Sequence, residues 1–538
     1  MSRNAVVIGA GVGGLSAAWQ LARAGWNTTL IEATDRVGGK MGWYQWTDPA
    51  SGTYVWDTGP SLITMPFVFR ELFSLCGERI EDHLSLVPVE PLSRYLFADG
   101  ARLDTCAGPD HLVQRARQAF GERAARQLAA FLDRGQRVWE EGGKEFLYDL
   151  PEQAIQRMMR GQYLQDPDRI RRLSLAESWK TLAALAPWSS YADVVLRDVQ
   201  HPALRDILLQ YATYSGTSPW KAPATLSSIA WIEHCYGGWY IRGGLHALAT
   251  CLASLFQRDG GTLRLCTPAS RIEFSPASTG SARSRTVHAV KLADGTRLPA
   301  DVIVCNADAM SAHAHLIRPA DRPSYPDTLL RQARPSGSGV VFLWAVNRCF
   351  PILQHHTKFI PDGYTADLRA MFHHQKLGAK PAIYINATCR TDPDHAPANG
   401  MNLFVLASAP ALNAKIDWTD PAVLHGYRQR VLQSITARPE WGLDALEQHI
   451  VHEKIITPLD FQNRLNAWKG SIYGLSGGGI RQSRLRPHII FPDARGLYFV
   501  GGATHPGGGL PLVVLSSRIA CSAIQQQAEP STPPQRSA

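Results

Sequence analysis

The first forty residues contain two short apolar runs separated by a stretch with helical spacing. The run from Val6 to Ile8 has the length and composition of a buried parallel strand. From about Gly13 to Ala24, apolar residues repeat at helical intervals, and Gly25 is placed as the C-terminal stop of that helix. A second apolar run, Thr28 to Ile31, ends at Glu32. The pattern predicts a strand, a helix and a second strand.

The turn between the first strand and the helix is rich in glycine. Gly9, Gly11 and Gly14 have G-x-G-x-x-G spacing. In dinucleotide-binding units such glycines let a pyrophosphate approach the helix N-terminus, where free N–H groups and the helix dipole favour an anion. An acid about 20 residues further on binds the ribose hydroxyls, and Glu32 stands at that position. The stretch therefore predicts a dinucleotide site, with a plain structural turn as the alternative.

A second glycine turn follows the ribose acid. Arg36, Gly38, Gly39 and Lys40 place cationic groups and bare backbone just past Glu32. A nicotinamide enzyme has no general need for a second glycine turn there, whereas FAD is longer and more deeply enclosed. The second turn favours FAD over NAD.

The later parts of the chain show three different patterns. From about residue 108 to 236 the sequence is mostly helical, and its stretch at 175–196 suits either core packing or a helix at a membrane interface. Residues 240–312 carry a helix that opens at a glycine pair and is followed by apolar strands. Residues 313–480 mix loops with strands such as Gly339–Val346, which predicts a sheet that floors a substrate site.

Length and composition predict a folded protein of more than one domain. The chain has 538 residues, beyond the size at which a single core keeps growing. Apolar residues make up 45% and charged residues 19%, which is ordinary for a folded chain, and only the polar tail is expected to be disordered. The nine cysteines form no C-x-x-C pair, which fits reduced thiols better than a disulfide frame or a zinc site.

Charge and hydropathy indicate which kinds of binding partner the protein has. The net charge of +9 is spread over short clusters, and without a concentrated basic stripe or a known motif we expect no nucleic-acid binding. Attraction to anionic lipid and a simply solvated surface explain the charge equally well. No stretch approaches the about 18 apolar residues of a membrane-spanning helix, and the first strand leaves no room for a signal peptide. We therefore expect a cytoplasmic protein.

Four stretches resemble one known group of enzymes. They are DTGPSLITMP from Asp57, the segment Trp239–Phe274, VIVCNAD from Val302, and GLYFVGGATHPGGGLPLVVLSSRIA from Gly496. In this order they are similar to the bacterial phytoene desaturase type of carotenoid enzyme, within the flavoprotein superfamily of amine oxidases and carotenoid desaturases. The resemblance covers nearly the whole chain.

That resemblance implies an α/β fold. A Rossmann-type FAD-binding domain is built from discontinuous segments and is joined by a mixed β-sheet substrate domain and a helical, membrane-facing region. The expected segments are FAD-binding at 1–90, mainly helical at 91–239, FAD-binding at 240–312, β-sheet at 313–480, FAD-binding at 481–525 and a disordered tail at 526–538.

The resemblance also implies which residues hold FAD. They comprise both glycine turns with the ribose acid, the segment after Asp57, the backbone at the adenine edge, and the C-terminal glycine loop. N–H groups near the end of that loop are placed to stabilise negative charge on the reduced flavin. The predicted cofactor-binding residues are Gly9, Ala10, Gly11, Gly13, Gly14, Glu32, Ala33, Arg36, Gly38, Gly39, Lys40, Met41, Gly59, Pro60, Ser61, Ala269, Gly501, Gly502, Gly508, Gly509 and Leu510.

His505 is the candidate catalytic residue. The resemblance places its loop, GGATHPGGG, beside the flavin ring. Proximity alone does not make an acid or a base, so a loop-shaping imidazole bonded to backbone is the alternative. No metal site is predicted, because the pairs His355–His356 and His373–His374 lack the i, i+4 spacing of histidine boxes.

The implied activity is FAD-dependent desaturation of a linear C30 or C40 polyene, of the phytoene or diapophytoene type, in carotenoid biosynthesis. Hydride transfer to flavin leaves a cation that delocalises over the polyene, so the adjacent proton is acidic and no strong base is required. Oxygen or a quinone would reoxidise the flavin. A terminal oxidase that converts a methyl group to an aldehyde, or an isomerase, remains open on the same fold. An amine oxidase and a non-catalytic flavin-binding scaffold are less favoured.

The implied substrate also predicts where the protein works. At about 0.8 kcal/mol for each buried CH₂ group, a polyene of this length costs on the order of 20 to 30 kcal/mol to bring into water. It must pass directly from bilayer to protein, so we expect peripheral membrane binding.

Overall fold

The computed structural model describes residues 3–159, 162–166, 169–172, 188–276, 285–478 and 485–528. The strands are β1 (Asn4–Ile8), β2 (Asn27–Ile31), β3 (Trp43–Asp48), β4 (Gly52–Asp57), β5 (Leu86–Pro88), β6 (Ser93–Phe97), β7 (Arg102–Thr105), β8 (Gln162–Asp166), β9 (Arg169–Arg172), β10 (Trp239–Ile241), β11 (Thr262–Arg264), β12 (Ala269–Phe274), β13 (Val287–Leu292), β14 (Arg297–Pro299), β15 (Val302–Cys305), β16 (Ser338–Val346), β17 (His356–Ile360), β18 (Ile383–Asn386), β19 (Met401–Ala409), β20 (Ile450–Ile456) and β21 (Leu497–Phe499).

Helices alternate with these strands, and short 3₁₀ and π turns connect several of them. The α-helices are α1 (Val12–Arg23), α2 (Pro66–Leu75), α3 (Pro109–Phe120), α4 (Glu122–Val138), α5 (Lys144–Tyr148), α6 (Pro151–Met159), α7 (Tyr191–Asp198), α8 (Pro202–Gln210), α9 (Ser227–Tyr236), α10 (His246–Arg258), α11 (Ala309–His315), α12 (Asp327–Gln332), α13 (Tyr364–Arg369), α14 (Pro421–Ile435), α15 (Pro458–Leu465) and α16 (Leu510–Ala528).

A five-stranded parallel sheet has the order β11-β2-β1-β15-β21. Its strands come from three distant parts of the chain, and α1 packs against both α10 and α16. Parallel strands that are covered by helices have apolar residues on both faces. The predicted strand at Val6–Ile8, the predicted helix and the predicted second strand are confirmed as β1, α1 and β2.

The second large sheet has seven strands in the order β20-β16-β19-β18-β17-β6-β7. All of its pairings are antiparallel except that of β17 with β6. The predicted strand Gly339–Val346 lies within β16, which is buried along its whole length. This sheet forms one wall of the cavity described below.

The placement of β6 and β7 corrects the sequence analysis, which assigned residues 91–239 to a mainly helical region. Residues 93–105 instead form a hairpin at the edge of the seven-stranded sheet. Its turn contains Asp99 and Gly100, and Gly100 has a φ of 91°. An Asp-Gly pair between two apolar runs favours a hairpin, and this local signal outweighs the helical character of the residues that follow.

Helices α3, α4 and α9 pack together, and α7 and α8 lie beside them. The predicted interfacial stretch at 175–196 falls mostly outside the described residues; its described part has Trp188 exposed and Tyr191 fully buried in α7. Across the ranges that the structure describes, no helix combines the length and apolarity needed to cross a bilayer.

At the C-terminus, α16 extends to Ala528, so residues 526–528 of the expected disordered tail are helical. Gln and Ala are good helix formers, which explains the extension. Residues 529–538 lie outside the described part, as do residues 481–484 at the start of the third predicted FAD-binding segment.

Candidate active site

A single cavity of about 2140 Å³ runs from the carboxyl ends of the parallel strands to the space between the seven-stranded sheet and the helices. At one end its walls include the glycine turn before α1, and at the other end they include β17 and α9. All of the predicted site residues line it except Ala10 and Gly14. Open α/β sheets bind ligands in this position, where the chain connections diverge at the carboxyl ends of neighbouring strands.

The glycine turn holds strand and helix very close together. A Cβ atom on Gly14 would lie 2.0 Å from the carbonyl oxygen of Gly9, so residue 14 serves packing rather than direct contact with a ligand. Gly11 is the N-cap of α1 and has no side chain to bind the first N–H groups of the helix. Those N–H groups therefore remain available to an anion at the cavity wall.

Asn306, which the sequence analysis did not assign, organises this turn. A Cβ atom on Gly11, Gly13 or Gly501 would lie 2.6 to 2.7 Å from its side-chain amide. Its Nδ2 donates to the carbonyl oxygen of Gly9 at 3.3 Å. Asn306 follows β15 directly, and the carboxyl ends of adjacent parallel strands meet at one edge, which is the signal that would have found it.

Glu32 is fixed at the end of β2. One carboxylate oxygen accepts the backbone N–H of Ala10 at 2.7 Å, and the other accepts both the N–H and the hydroxyl of Thr34 at 2.9 Å. The N–H of Thr267 donates to the carbonyl oxygen of Glu32 at 2.7 Å, which brings the segment leading to Ala269 beside the acid. Ala10 therefore positions the acid, and the structure brings Ala269 to the cavity wall near it.

The second glycine turn contacts the first. The N–H of Gly38 donates to the carbonyl oxygen of Ala10 at 2.8 Å, and a Cβ on Gly39 would lie 3.3 Å from the Cα of Gly11. A Cβ on Gly59 would lie 1.8 Å from the carbonyl oxygen of Lys40. Glycine is required here partly because main-chain segments contact one another directly. Together these segments form a continuous cavity wall without side chains.

The two cations of this turn have different environments. Arg36 is half exposed and pairs with Asp35, whose pKa it holds below the usual range. Lys40 is half-buried, and its Nζ donates to the carbonyl oxygen of Ile472 at 2.6 Å. Burial lowers the pKa of Lys40, and Asp308 partly opposes that shift.

The C-terminal glycine loop leads into α16. Gly501 and Gly509 have φ values of 102° and 120°, which glycine adopts without strain. A Cβ on Gly502 would lie 3.3 Å from the Cα of Gly508, and one on Gly508 would lie 2.5 Å from the ring of Tyr473. The loop therefore presents bare backbone and the first turn of α16, beginning at Leu510, to the cavity.

His505 lines the cavity and is bonded to backbone. Its Nε2 donates to the carbonyl oxygen of Asp149 at 3.0 Å. Burial lowers its pKa to about 4, so the imidazole is neutral at neutral pH. This geometry agrees with a loop-shaping imidazole, and a catalytic role for His505 stays a prediction.

The far end of the cavity carries a polar group of residues that the sequence analysis did not identify. Lys358, on β17, donates from Nζ to the hydroxyls of Tyr95 at 2.9 Å and Tyr214 at 3.0 Å. Glu233, on α9, accepts from the hydroxyl of Tyr211 at 2.9 Å through Oε1. Lys358 and Glu233 are only 4% and 3% exposed, yet both line the cavity.

A chain of hydrogen bonds runs from the segment after Asp57 to His356, which lies two residues before Lys358 on β17. The Oγ of Ser61 lies 2.5 Å from the hydroxyl of Tyr384, which in turn lies 2.7 Å from Nδ1 of His356. Burial, reinforced by His355 and Lys358, holds the pKa of His356 well below its usual value, so it is neutral. In the described part of the chain, no group of three or more His, Cys, Asp and Glu residues could hold a metal ion.

The cofactor end of the cavity fits FAD. It offers an uncapped helix N-terminus, a bare main-chain wall that added Cβ atoms would fill, and a fixed acid at the neighbouring strand end. These are the features that a pyrophosphate and its ribose require.

Comparison with known proteins places the chain in a family. The sequence profile described as "Flavin containing amine oxidoreductase" matches residues 12–525, so the chain belongs to this family, and its cofactor is FAD. Within the family it is similar to curated carotenoid enzymes. It is 32% identical over 527 residues to a 4,4'-diapolycopene oxygenase from Methylomonas sp, which covers 96% of this chain and 97% of the relative.

Two further similarities support the assignment. The chain is 29% identical over 533 residues to a 4,4'-diapophytoene desaturase (4,4'-diapolycopene-forming) from Methylomonas sp, which covers 98% of this chain and 96% of the relative. Among solved structures, wild-type putrescine oxidase bound to putrescine aligns with a TM-score of 0.60 at 14% identity, covering 98% of this chain and 99% of that one. The structural similarity confirms the amine-oxidase-like flavoprotein fold.

Proposed function

We propose that this protein is an FAD-dependent carotenoid desaturase that removes hydrogen pairs from a linear C30 or C40 polyene. The observation that carries the proposal is the continuity of the cavity between the cofactor end and a chamber with largely apolar walls. Side chains of that chamber include Ile229, Ile232, Met371, Ile383, Phe404 and Leu406. Such walls bind an extended hydrocarbon and exclude water from it. Whole-chain similarity to a desaturase supports the same assignment.

The residues of the cofactor end have separate roles in this proposal. The N-terminus of α1 binds the pyrophosphate, and Glu32 binds the ribose hydroxyls. Asn306 holds the glycine turn in shape, and the loop before Leu510 would hold the flavin against its bare backbone. The chemistry that FAD supplies when bound is acceptance of a hydride from the substrate.

The chamber residues position the polyene. Their apolar side chains hold its chain extended beside the cofactor end, and the reaction requires no strong base there because the proton next to a delocalised cation is acidic. For His505 we propose a positioning role, since the bond from its Nε2 to the carbonyl oxygen of Asp149 ties the C-terminal loop to the end of α5.

Terminal oxidation of a polyene methyl group is the second candidate function. Two observations favour it: the 32% identity to an oxygenase and the buried polar group around Lys358 and Glu233. A chamber for a pure hydrocarbon has no need for such groups.

We also propose that the protein takes its substrate from a membrane surface, with oxygen or a quinone as electron acceptor. Phe146 lines the cavity and is partly exposed, so an apolar side chain reaches the surface at the cavity wall. Co-sedimentation with neutral and anionic vesicles would test this: retention on either supports the proposal, and retention on neither contradicts it.

The function is tested by mass spectrometry of products. The FAD-loaded protein is incubated with liposomes that carry 15-cis or all-trans C30 and C40 polyenes. Loss of hydrogen pairs, with new visible absorption, is expected for a desaturase. Gain of oxygen would instead support the terminal oxidase, and no change in any polyene would contradict both.

A further inference from the structure

Four side chains form a polar cluster at the far end of the cavity: Tyr214, Glu233, His356 and Lys358. All four line the cavity, and they come from a 3₁₀ turn at Tyr211–Ser215, from α9 and from β17. Glu233, His356 and Lys358 are at least 96% buried. The surrounding walls are mainly apolar, so the cluster is a local polar patch in a chamber that otherwise suits a hydrocarbon.

The cluster has unused hydrogen-bonding capacity. Oε2 of Glu233 and Nε2 of His356 are buried and have no hydrogen-bond partner among the residues that the structure describes. The Nζ of Lys358 donates to two tyrosine hydroxyls, which leaves one of its three N–H groups unassigned in the same described residues. Nδ1 of His356 accepts from the side-chain amide of Asn386, so Nε2 of the neutral ring is a donor. The cluster thus holds free donors on His356 and Lys358 and a free acceptor on Glu233.

Lys358 and Glu233 do not neutralise each other by direct contact. Among the described residues the bonds of Lys358 go to two tyrosines and Oε2 of Glu233 has no hydrogen-bond partner. Glu233 nevertheless raises the pKa of Lys358 against the larger opposite effect of burial. Tyr95 and Tyr211 support the two charges from behind the wall, since neither lines the cavity. The atoms that remain free therefore belong to side chains that line the cavity.

A hydrocarbon would leave this capacity unsatisfied. A buried polar group that loses water without gaining a partner is destabilised, and the penalty is larger for charged groups. A ligand with an oxygen atom at the end of its apolar chain removes the penalty: a carbonyl accepts from Lys358 and Tyr214, and a hydroxyl also donates to Glu233.

We propose that the polar cluster is a binding subsite for the oxygen-bearing end of a polyene, either a hydroxymethyl group or an aldehyde. The proposal rests on the proposed function in one respect, that the ligand is a polyene. It assigns the specificity of the chamber to Tyr214, Glu233 and Lys358, and it identifies terminally oxygenated polyenes as preferred ligands over the parent hydrocarbon.

The test compares three probes on the FAD-loaded enzyme in detergent micelles. They are an all-trans C30 polyene, the same polyene with one terminal aldehyde, and the same polyene with one terminal hydroxymethyl group. Binding is measured by quenching of tryptophan fluorescence. We expect the aldehyde to bind at least about tenfold more tightly than the hydrocarbon, as one or two well-formed hydrogen bonds to charged groups provide.

Variants then locate the effect. Tyr214→Phe and Lys358→Met are expected to reduce the ratio of aldehyde to hydrocarbon affinity about tenfold, and Glu233→Gln to reduce the corresponding ratio for the alcohol. The matched control is Tyr191→Phe, a buried tyrosine whose hydroxyl donates to the carbonyl oxygen of Leu208 at 2.7 Å and which does not line the cavity. FAD content and circular dichroism verify that each variant folds. If a variant that removes a charge does not fold, Tyr214→Phe still tests the proposal, because it removes only a hydroxyl group.

The bound aldehyde gives a second readout. Donation to its carbonyl from a cation shifts the absorption of a conjugated polyenal to longer wavelength, and Lys358→Met should abolish that shift. The proposed subsite would be contradicted if the wild-type protein bound aldehyde and hydrocarbon with equal affinity. It would also be contradicted if the variants kept the wild-type ratio of aldehyde to hydrocarbon affinity. Failure to bind any polyene would instead contradict the proposed function.

Discussion

The two ends of the cavity are walled by different parts of the chain. At the cofactor end the wall is main chain, since Gly11, Gly39 and Gly59 bring backbone segments into direct contact. At the far end the wall is made of side chains, and its polar members Glu233 and Lys358 are buried. Main chain supplies N–H groups and close approach, whereas side chains supply shape and selectivity. The comparison suggests that cofactor affinity and substrate specificity can be changed separately.

The largest expected effect is at a glycine of the cofactor end. In Gly59→Ala the new Cβ would lie 1.8 Å from the carbonyl oxygen of Lys40, so one of the two main-chain segments must move. We expect FAD retained per chain after gel filtration, measured by flavin absorbance, to fall by at least about tenfold, because close-packed backbone cannot yield as a flexible side chain does. Wild-type flavin content in this variant would show that the wall tolerates displacement.

The next prediction concerns the charge at the far end. Burial lowers the pKa of Lys358 to about 8, against an ordinary lysine value of 10.5. Between these values the unfolded chain binds more protons than the folded one, so this lysine makes the free energy of unfolding rise as the pH increases from 8 to 10.5. The difference corresponds to about 3 kcal/mol.

Chemical denaturation across this pH range tests the prediction. The groups that face Lys358 are Tyr95, Tyr214, Glu233, His234 and His356, and all remain present in Lys358→Met. That variant should lose the rise that the wild-type protein shows, while Lys380→Met, at an exposed position, should retain it. Parallel curves for wild type and Lys358→Met would mean that burial does not lower the pKa of this lysine in the folded protein.

Glu32 gives an intermediate effect. Glu32→Gln keeps the shape of the side chain but removes the charge that accepts the N–H of Ala10. Hydrogen bonds to charged groups contribute about 1.5 to 3 kcal/mol, so we expect FAD affinity to fall about tenfold or more when apoprotein is titrated with FAD. Glu122→Gln, at an exposed residue paired with Arg117, is the control, and equal affinities in both variants would remove the proposed ribose contact.

The same contrast explains what the sequence could predict. The strand, helix, glycine spacing and Glu32 lie within about thirty residues, so short-range periodicity and turn chemistry were sufficient to predict the first glycine turn and its acid. The predictions at Gly59, Ala269 and Gly501 depended on the resemblance to a known family. Asn306 bonds to Gly9 across 297 positions, and Lys358 bonds to Tyr95 across 263. These contacts depend on which distant strands become neighbours, and in particular on the parallel pairing of β17 with β6, which local patterns do not encode.

The polar cluster illustrates this limit. In the sequence, Glu233 lies between Ile232 and His234 on a helix, with no spacing that distinguishes it from a surface acid. It becomes notable only because α9 places it against the cavity together with residues from β17. Its chemistry is therefore a property of the tertiary structure.

The smallest effect is expected at a glycine outside the cavity, and it tests whether clearance around Cβ is the right criterion. Gly426 lies inside α14, and a Cβ there would have no neighbour within 4 Å. Because glycine in a helix interior is less favourable than alanine by about 0.5 to 1 kcal/mol, Gly426→Ala should raise the free energy of unfolding by that amount in denaturant titrations. Flavin content should equal that of the wild type. If Gly426→Ala released FAD as Gly59→Ala is expected to, the loss could not be attributed to main-chain contact at the cofactor end, and the distinction between the two walls would fail.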